Sequence, residues 1–314
     1  MTNIRRFLIP LAVVAGGAAC SAELAPFEDL ADLRILAIQV EDPWLLPDQE
    51  TTLRSLVYAE PDATVSYAWD WCPFSTGPSQ EYACALTQED LDDIASQVPG
   101  ADSPQLKLGS AADVTFKYPL PAPALQGICA ALLSEDVPEG LAFIDCKESF
   151  PVTLRLIATT DRGHRVVAVR TMKLLYDEPE PVSDLNVNPA FTGVRILTNG
   201  EPLDSAVPLV DGFVVEREQD YTLFVDVTED QSQTYTTDSG EQRENLFVHW
   251  FYEAGEFDEE STGFIDGFLT VEDLAENRFS APDASFTRDE LALYFVMRDE
   301  RGGIDFITRT VSLD

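Results

Sequence analysis

The sequence predicts an all-β protein in which two similar β-sandwiches follow one another along the chain. The first observation is a hairpin-like segment that occurs twice: residues 152–174 and 291–313 align without a gap at an offset of 139 residues. The second is that short runs rich in β-branched and aromatic residues precede each copy in the same order. Internal repetition indicates two copies of one structural unit, and 314 residues are enough for two domains.

The first repeat begins with three predicted strands, at residues 33–38, 51–58 and 65–72. In the third strand, a period of two places Val65, Tyr67, Trp69 and Trp71 on one face. We therefore expect Trp69 to be a core residue. The repeated hairpin adds two strands, and Gly163 in its turn can adopt a positive φ.

An insertion at residues 73–150 makes the first repeat about 42 residues longer than the second. It contains or adjoins four cysteines, Cys72, Cys84, Cys129 and Cys146. In an exported protein, four cysteines predict two disulfides with three possible pairings. We favour Cys72–Cys84 with Cys129–Cys146, because each bond closes a short loop. Zinc is a poor alternative because the sequence has no CxxC pair.

The insertion is also predicted to be partly helical. Thr87 and Asp90 have the spacing of a capping box that opens a helix ending near residue 98, and a second helix is expected at residues 122–133. A long loop on a β scaffold is often a recognition site. The alternative is a disulfide-clamped excursion without a role in binding, and the sequence leaves both open.

A charged, proline-spaced linker at residues 177–186 separates the repeats. The second repeat, residues 187–314, then retraces the first: residues 195–197, 221–227 and 246–252 correspond to its three opening strands, and Trp250 corresponds to Trp69. The first domain is expected to span residues 33–176. No cysteine pair occurs in the second repeat, so neither sandwich is expected to depend on an inter-sheet disulfide.

The strand order, the core tryptophan and the closing hairpin together resemble bacterial immunoglobulin-like domains, including the polycystic-kidney-disease type. The resemblance implies two tandem immunoglobulin-like β-sandwiches, the first carrying the insertion. The opening DLRILAIQVEDP and the later YAWDWCP are also similar to predicted lipoproteins of myxobacteria and their relatives.

The first 19 residues have the order of a secretory signal: Arg5 and Arg6, then an apolar run, then small residues up to Cys20. The Gly-Ala-Ala-Cys ending resembles the lipobox of bacterial lipoproteins, whose cysteine carries diacylglycerol after cleavage. The resemblance implies lipidation of Cys20, a membrane partner reached through that anchor, and a tether at residues 20–32. Because Ser21 is not aspartate, it also implies outer-membrane retention. The alternative is a secreted protein cleaved near Ala19 or Ala22.

The chain is strongly acidic, with 56 Asp and Glu residues against 20 Lys and Arg residues and a net charge of −36. It is not expected to bind nucleic acid, because affinity for phosphate needs clustered Lys and Arg. We interpret most of the acids as a solvated surface. Structural calcium at the acidic runs 226–230 and 256–260 is the alternative, although neither run has EF-hand spacing. No other cofactor is predicted.

An apolar patch is predicted on the outer face of the second repeat. If the turn at Arg301 and Gly302 sets the register, the patch consists of Phe247, His249, Phe251, Tyr294, Val296 and Ile307. Exposed apolar patches usually mark an interface, so these residues are a candidate docking face for a protein or a glycan. Alternatively, the first domain or the loop at residues 228–245 covers them.

The motifs of common catalytic sites are absent: the sequence has no GxSxG, HExxH, P-loop or GxGxxG. Its two histidines are His164, expected to be solvent-exposed in a turn, and His249. We predict no enzymatic activity and no catalytic residues. The predicted function is surface interaction, adhesion or structure in the cell envelope. The alternative is a carbohydrate-binding or carbohydrate-active envelope protein that uses the inserted segment.

Overall fold

The computed structural model describes residues 30, 32–97, 102–132, 146, 148–180, 184–237 and 240–314. The predicted signal peptide and the predicted lipidation site Cys20 lie outside the described residues. Within the described part of the chain, no helix is both long and apolar enough to cross a membrane.

The first sandwich is formed by residues 34–175. Its strands are β1 (Arg34–Val40), β2 (Trp44–Leu45), β3 (Glu50–Tyr58), β4 (Val65–Cys72), β5 (Lys107–Gly109), β6 (Asp113–Lys117), β7 (Ser149–Thr160) and β8 (Arg165–Leu175), and its helices are α1 (Gln88–Ser96) and α2 (Ala122–Leu132). Every strand and helix predicted for the first repeat is present, with ends that differ by a few residues at most.

The second sandwich is formed by residues 193–313. Its strands are β9 (Gly193–Thr198), β10 (Val207–Pro208), β11 (Phe213–Val215), β12 (Asp220–Asp226), β13 (Thr234–Thr237), β14 (Gly240–Arg243), β15 (Leu246–Tyr252), β16 (Glu256–Phe257), β17 (Ser261–Phe264), β18 (Glu276–Ser280), β19 (Glu290–Asp299) and β20 (Ile304–Leu313). One short helix, α3 (Val271–Ala275), lies between β17 and β18.

Both sandwiches share one immunoglobulin-like topology. The first pairs β1-β3-β6 in one sheet and β2-β8-β7-β4-β5 in the other; the second pairs β10-β9-β12-β18-β16 and β11-β20-β19-β15-β17. In each, a short strand after the opening strand changes sheets and pairs parallel with the last strand, as β2 does with β8 and β11 with β20. The order of opening, central and closing strands is that of the immunoglobulin fold. The predicted fold class is therefore confirmed.

The core of each sandwich follows from the alternation of its strands. Trp69 and Trp250 are fully buried in equivalent strands, β4 and β15. Each indole nitrogen donates a hydrogen bond, from Trp69 to the carbonyl oxygen of Ala111 and from Trp250 to the hydroxyl of Thr262. The buried rings therefore contribute apolar packing without leaving an unpaired donor.

The inserted segment contributes more to the sandwich than the sequence indicated. The Thr87 hydroxyl and the Asp90 carboxylate form the predicted capping box of α1. However, β5 and β6 also come from this segment, and they pair with β4 and β3. Part of the predicted insertion thus belongs to the two sheets of the sandwich. The remainder, which carries the helices and the disulfides, is the excursion from the sandwich.

Two disulfides link Cys72 to Cys84 and Cys129 to Cys146, which is the sequence-local pairing. The second bond lies in the core of the first sandwich, where both of its cysteines are buried. It fastens α2 to the segment that leads into β7. The bonds therefore fix the excursion to the sandwich at both of its ends.

A third apolar cluster joins the two sandwiches. Leu36, Ala37, Leu56 and Tyr58 of β1 and β3 pack with Phe251, Val296 and Ile304 of β15, β19 and β20. Leu30, at the start of the described chain, belongs to the same cluster, and its backbone N–H donates to the carbonyl oxygen of Tyr252. One sheet of the first sandwich thus lies against one sheet of the second.

Candidate functional site at the junction of the two sandwiches

Three of the six residues predicted as a docking face, Phe251, Tyr294 and Val296, lie in the junction between the sandwiches. Phe251 is 1 % exposed and Val296 is fully buried, both against the first sandwich. The Tyr294 ring packs edge-on against the Tyr58 ring, at 6.1 Å between centroids. The prediction that these residues are free to dock a partner is therefore wrong, because the alternative holds and the first sandwich covers them.

Phe247 and His249 lie on the same face of β15 and are partly buried. The His249 ring stacks on Phe251, with 6.3 Å between ring centroids. Burial, and the nearby charge of Arg298, lower the pKa of His249. The imidazole therefore belongs to the edge of the apolar junction and favours its neutral form there.

Ile307 is the member of the predicted set that points the other way. It pairs with Phe295 across the hairpin and packs against the core of the second sandwich. The neighbouring Phe306 pairs with Val296 and reaches the junction instead. The predicted register assumed a turn of two residues, Arg301 and Gly302, but the turn holds three residues between Asp299 and Gly303. This difference shifts the pairing by one residue, and such a shift moves each side chain of the strand to the opposite face of the sheet.

Hydrogen bonds cross the junction at several points. The Asn188 amide donates to the carbonyl oxygens of Val40 and Glu41, at 2.7 and 2.9 Å, and its oxygen accepts from the N–H of Ile304. The Gln39 amide donates to the Ile304 carbonyl oxygen at 2.9 Å. Three of these four bonds are partly buried, and together the four specify one relative orientation of the sandwiches.

A stack of cations and aromatic rings lies beside this network. The Arg301 guanidinium is 4.3 Å from the centroid of the Trp44 ring and 4.4 Å from that of the Tyr235 ring. The Lys173 ammonium is 4.4 Å from the Trp44 centroid. Lys173 and Trp44 belong to the first sandwich, and Arg301 and Tyr235 to the second. The turn of the second repeated hairpin therefore contacts the first sandwich through a cation–π interaction between Arg301 and Trp44.

Arg301 is also the partner of a buried carboxylate. Its guanidinium donates to Glu244, at 3.0 Å from Nη1 to Oε1, and to the carbonyl oxygen of Asp184. The side chain of Glu244 is fully buried, and burial together with the charge of Asp299 raises the pKa of Glu244 to about 7. Removing Arg301 would leave this carboxylate buried without a cation.

An open cleft of about 630 Å³ adjoins the stack. Trp44, Tyr235 and Arg301 line it, with Glu148, Asp177, Glu180 and Asp184. Both Lys173 and Arg301 lie over the Trp44 ring, so this indole is not a free platform for a sugar. The guanidinium is likewise occupied by Glu244 and the two rings. These cation–π contacts and the Arg301–Glu244 ion pair form a clamp that holds the two sandwiches together.

One cluster of possible metal ligands is found among the described residues, formed by Asp32, Glu60 and His164 near the turn of the first hairpin. The Arg162 guanidinium already pairs with the Glu60 carboxylate, and His164 Nδ1 is 3.5 Å from its other oxygen. The Arg162 guanidinium thus offsets the charge of one of the two carboxylates in this cluster. The two acidic runs considered for calcium contribute no side chain to it, and Asp226 pairs with Arg195 at 2.7 Å.

Sequence reasoning missed most of this junction. Trp44, Tyr235, Glu244 and Asn188 carry no motif, and their importance arises from contacts between residues more than 50 positions apart. The available signal was the aromatic outer face of the second repeat, which has no counterpart in the first. An apolar face on one copy alone indicated an asymmetric contact, and the contact is the first copy.

No family model matches the chain, and no curated protein sequence is similar to it at a significant level. Among solved structures, the N-terminal Ig1-2 module of the Drosophila receptor tyrosine phosphatase DLAR is 9 % identical, with a TM-score of 0.23 over 90 % of this chain and 100 % of that one. The C-terminal domain of the Streptococcus pyogenes antigen I/II-family protein AspA is 11 % identical, with a TM-score of 0.24 over 90 % and 98 %. The D00-D0 domain of intimin is 10 % identical, with a TM-score of 0.22 over 90 % and 98 %. Similarity at this level carries no argument about function.

Proposed function

We propose that this chain is a non-catalytic, lipid-anchored module of the outer membrane, in which two immunoglobulin-like sandwiches form one rigid unit for surface interaction or envelope structure. The observation that carries the proposal is the shared apolar core at the junction. Domains within a chain usually move relative to one another unless their interface is large and hydrophobic. Here Phe251 and Val296 are buried between the sandwiches, and a cation–π clamp adjoins them.

The junction covers one face of each sandwich, so a partner would bind to a surface outside the junction. Four aliphatic residues are largely exposed within one segment of the second sandwich: Leu203, Val207, Val210 and Val214. This segment includes β10 and β11, which lie at the ends of the two sheets. Edge strands with apolar side chains suit a protein partner, which can pair with the edge and cover those side chains.

The experiment combines anchoring with contact mapping in cells that express the full chain. The wild type is expected in the outer-membrane fraction, and Cys20→Ala in the soluble fraction. A photo-crosslinking amino acid at Val214 is expected to give one discrete envelope-protein adduct, which mass spectrometry identifies. The same probe at the exposed position Glu241 serves as the control. Identical soluble fractionation of both forms, or equal labelling at both positions, would contradict the proposal.

A second function, carbohydrate binding by the inserted segment, is supported by one cavity of about 450 Å³. Its lining includes the polar side chains of Asp102, Lys107 and Thr115, while Trp71 behind them is buried. Titration of envelope polysaccharide into the wild type and Lys107→Ala tests this function. Saturable binding that Lys107→Ala weakens would support it, and the absence of saturable binding in the wild type would exclude it.

A further inference from the structure

Two arginines at the junction each have a buried Nε atom without a hydrogen-bond partner within the described part of the chain. Arg155, Arg165, Arg195 and Arg278 each pair with an acidic side chain at the surface of their own sandwich. This is expected in a chain with 56 acids and 20 bases. Within the described residues, neither Arg170 of β8 nor Arg298 of β19 has an ion pair within 4 Å, although both are partly buried.

Arg170 and Arg298 line one cavity of about 200 Å³ between the sandwiches. The rest of the lining is apolar or backbone: Ile35, Leu36, Ala37 and Ile38 of β1, Ala168 and Val169 of β8, and Ile304 of β20. The cavity has room for about six water molecules at ~30 Å³ each. A tetrahedral oxyanion with a few waters fits in this space.

The guanidinium groups retain unused donors that are buried. The Nε atoms of both arginines have no hydrogen-bond partner within the described part of the chain. Arg298 donates from Nη2 to the carbonyl oxygen of Leu36 at 2.8 Å, which fixes its position at the cavity. Arg170 forms no hydrogen bond with any described residue, and its Nη2 would lie 3.4 Å from a Cβ at Gly302 of the second hairpin turn. Buried donors without partners destabilise a structure unless a ligand or water satisfies them.

Two carboxylates lie near these arginines. Asp299 Oδ1 accepts from the backbone N–H of Gly303 at 2.6 Å and thereby closes the hairpin turn. Asp299 Oδ2 is buried without a hydrogen-bond partner in the described part of the chain, and the charge of this carboxylate acts on Arg170. Asp305 accepts from the N–H of Phe191 and from the amide of Gln39. Burial and the proximity of Arg298 lower the pKa of Arg170 to about 10 against the opposing effect of the Asp299 charge, so the side chain remains a cation at neutral pH. The cavity is thus lined by two guanidinium cations, neither of which forms an ion pair within 4 Å among the described residues, and Asp299 is the carboxylate whose charge acts on Arg170.

We propose that Arg170 and Arg298 form a binding site for a small oxyanion at the junction of the two sandwiches. Guanidinium groups bind phosphate, sulfate and carboxylate oxygens through paired N–H donors, and the free Nε–H groups supply such donors here. One arginine comes from each sandwich, so the bound anion stabilises their contact. The site is separate from the exposed edge at Val207 and Val214.

Isothermal titration of the full chain with inorganic phosphate, sulfate and acetate tests the site, in buffers matched in ionic strength with sodium chloride. One saturable site is expected for the wild type, and the ranking of the three anions identifies the preferred group. Arg170→Gln and Arg298→Gln are each expected to weaken binding about 10–100-fold, the usual effect of losing a charged hydrogen bond. Arg165→Gln lies on the same strand away from the cavity and is expected to bind as the wild type does.

Thermal denaturation gives a second measurement that does not depend on the variants. At a concentration 100 times the dissociation constant, the bound oxyanion should lower the unfolding equilibrium constant of the wild type about 100-fold. A wild type that shows no saturable binding of any of the three anions overturns the proposal, as does unchanged affinity in both glutamine variants.

Discussion

Replacing Phe251 by alanine tests whether the two sandwiches unfold as one unit. Phe251 is 1 % exposed, and its ring lies in the apolar cluster at the junction rather than in the core of its own sandwich. Truncating a buried phenylalanine usually lowers the free energy of unfolding by about 3–5 kcal/mol, through lost burial and the cavity left behind. In a chain of this size each kcal/mol shifts the melting temperature by about 2–4 °C. We therefore expect a decrease of roughly 10 °C.

Differential scanning calorimetry and urea denaturation of the full chain give the measurement. The wild type should unfold in one transition, since the sandwiches share buried surface. Phe251→Ala should either lower that transition or divide it in two, according to whether the remaining contacts keep the sandwiches together. Phe268→Ala is the matched control, because Phe268 is 87 % exposed and its truncation should change stability by less than about 0.5 kcal/mol. A loss below about 1 kcal/mol for Phe251→Ala would show that the junction is open in solution, and the reasoning would fail.

Three further predictions concern the clamp and the disulfides. Because burial raises the pKa of Glu244 to about 7, the folded state binds more protons than the unfolded state between about pH 4.5 and pH 7. The free energy of unfolding should therefore fall by up to about 3 kcal/mol as the pH rises through this window. Urea titrations at several pH values should show that Glu244→Gln removes this dependence on pH. An equal dependence in the wild type and in the variant would contradict the raised pKa of Glu244. Arg301→Met should destabilise the protein by about 3–5 kcal/mol by leaving Glu244 unpaired, while the double variant with Glu244→Leu should recover most of the loss in thermal melts; no recovery would contradict the pairing. Replacing Cys129 and Cys146 by serine should lower the free energy of unfolding by about 2–4 kcal/mol. This loss should exceed the loss on replacing Cys72 and Cys84, because the pair Cys129–Cys146 is buried in the core. Equal losses for the two pairs in urea denaturation would contradict this ranking.

The strands were predictable because their information is local. Alternation of apolar and polar residues located β4 and β15 at their observed ends, and the repeat related Trp250 to Trp69. The capping box likewise located α1. By contrast, β6 has only five residues and lies between turns, so its pattern was lost within the predicted insertion. Local patterning therefore specifies the main strands of each sandwich but not every short strand.

The candidate site was less predictable because it depends on pairing between distant segments. The aromatic face of β15 was visible in the sequence, but its cover, β1 and β3, is as amphipathic as any other strand pair. Whether Ile307 or Phe306 faces that cover depends on one residue in the hairpin turn. The role of Arg301 was hidden for the same reason: a turn arginine is ordinarily solvated, and here Trp44 and Glu244 approach it only after the sandwiches pack.

The position of Leu30 has a mechanical consequence. Leu30 lies at the junction: its backbone N–H donates a hydrogen bond to the carbonyl oxygen of Tyr252, and its side chain packs in the cluster that joins both sandwiches. A pulling force applied at the amino terminus would thus reach the second sandwich through Leu30 before it stretches β1. Tension would be shared between the two sandwiches, and detachment of Leu30 would come before either sandwich unravels.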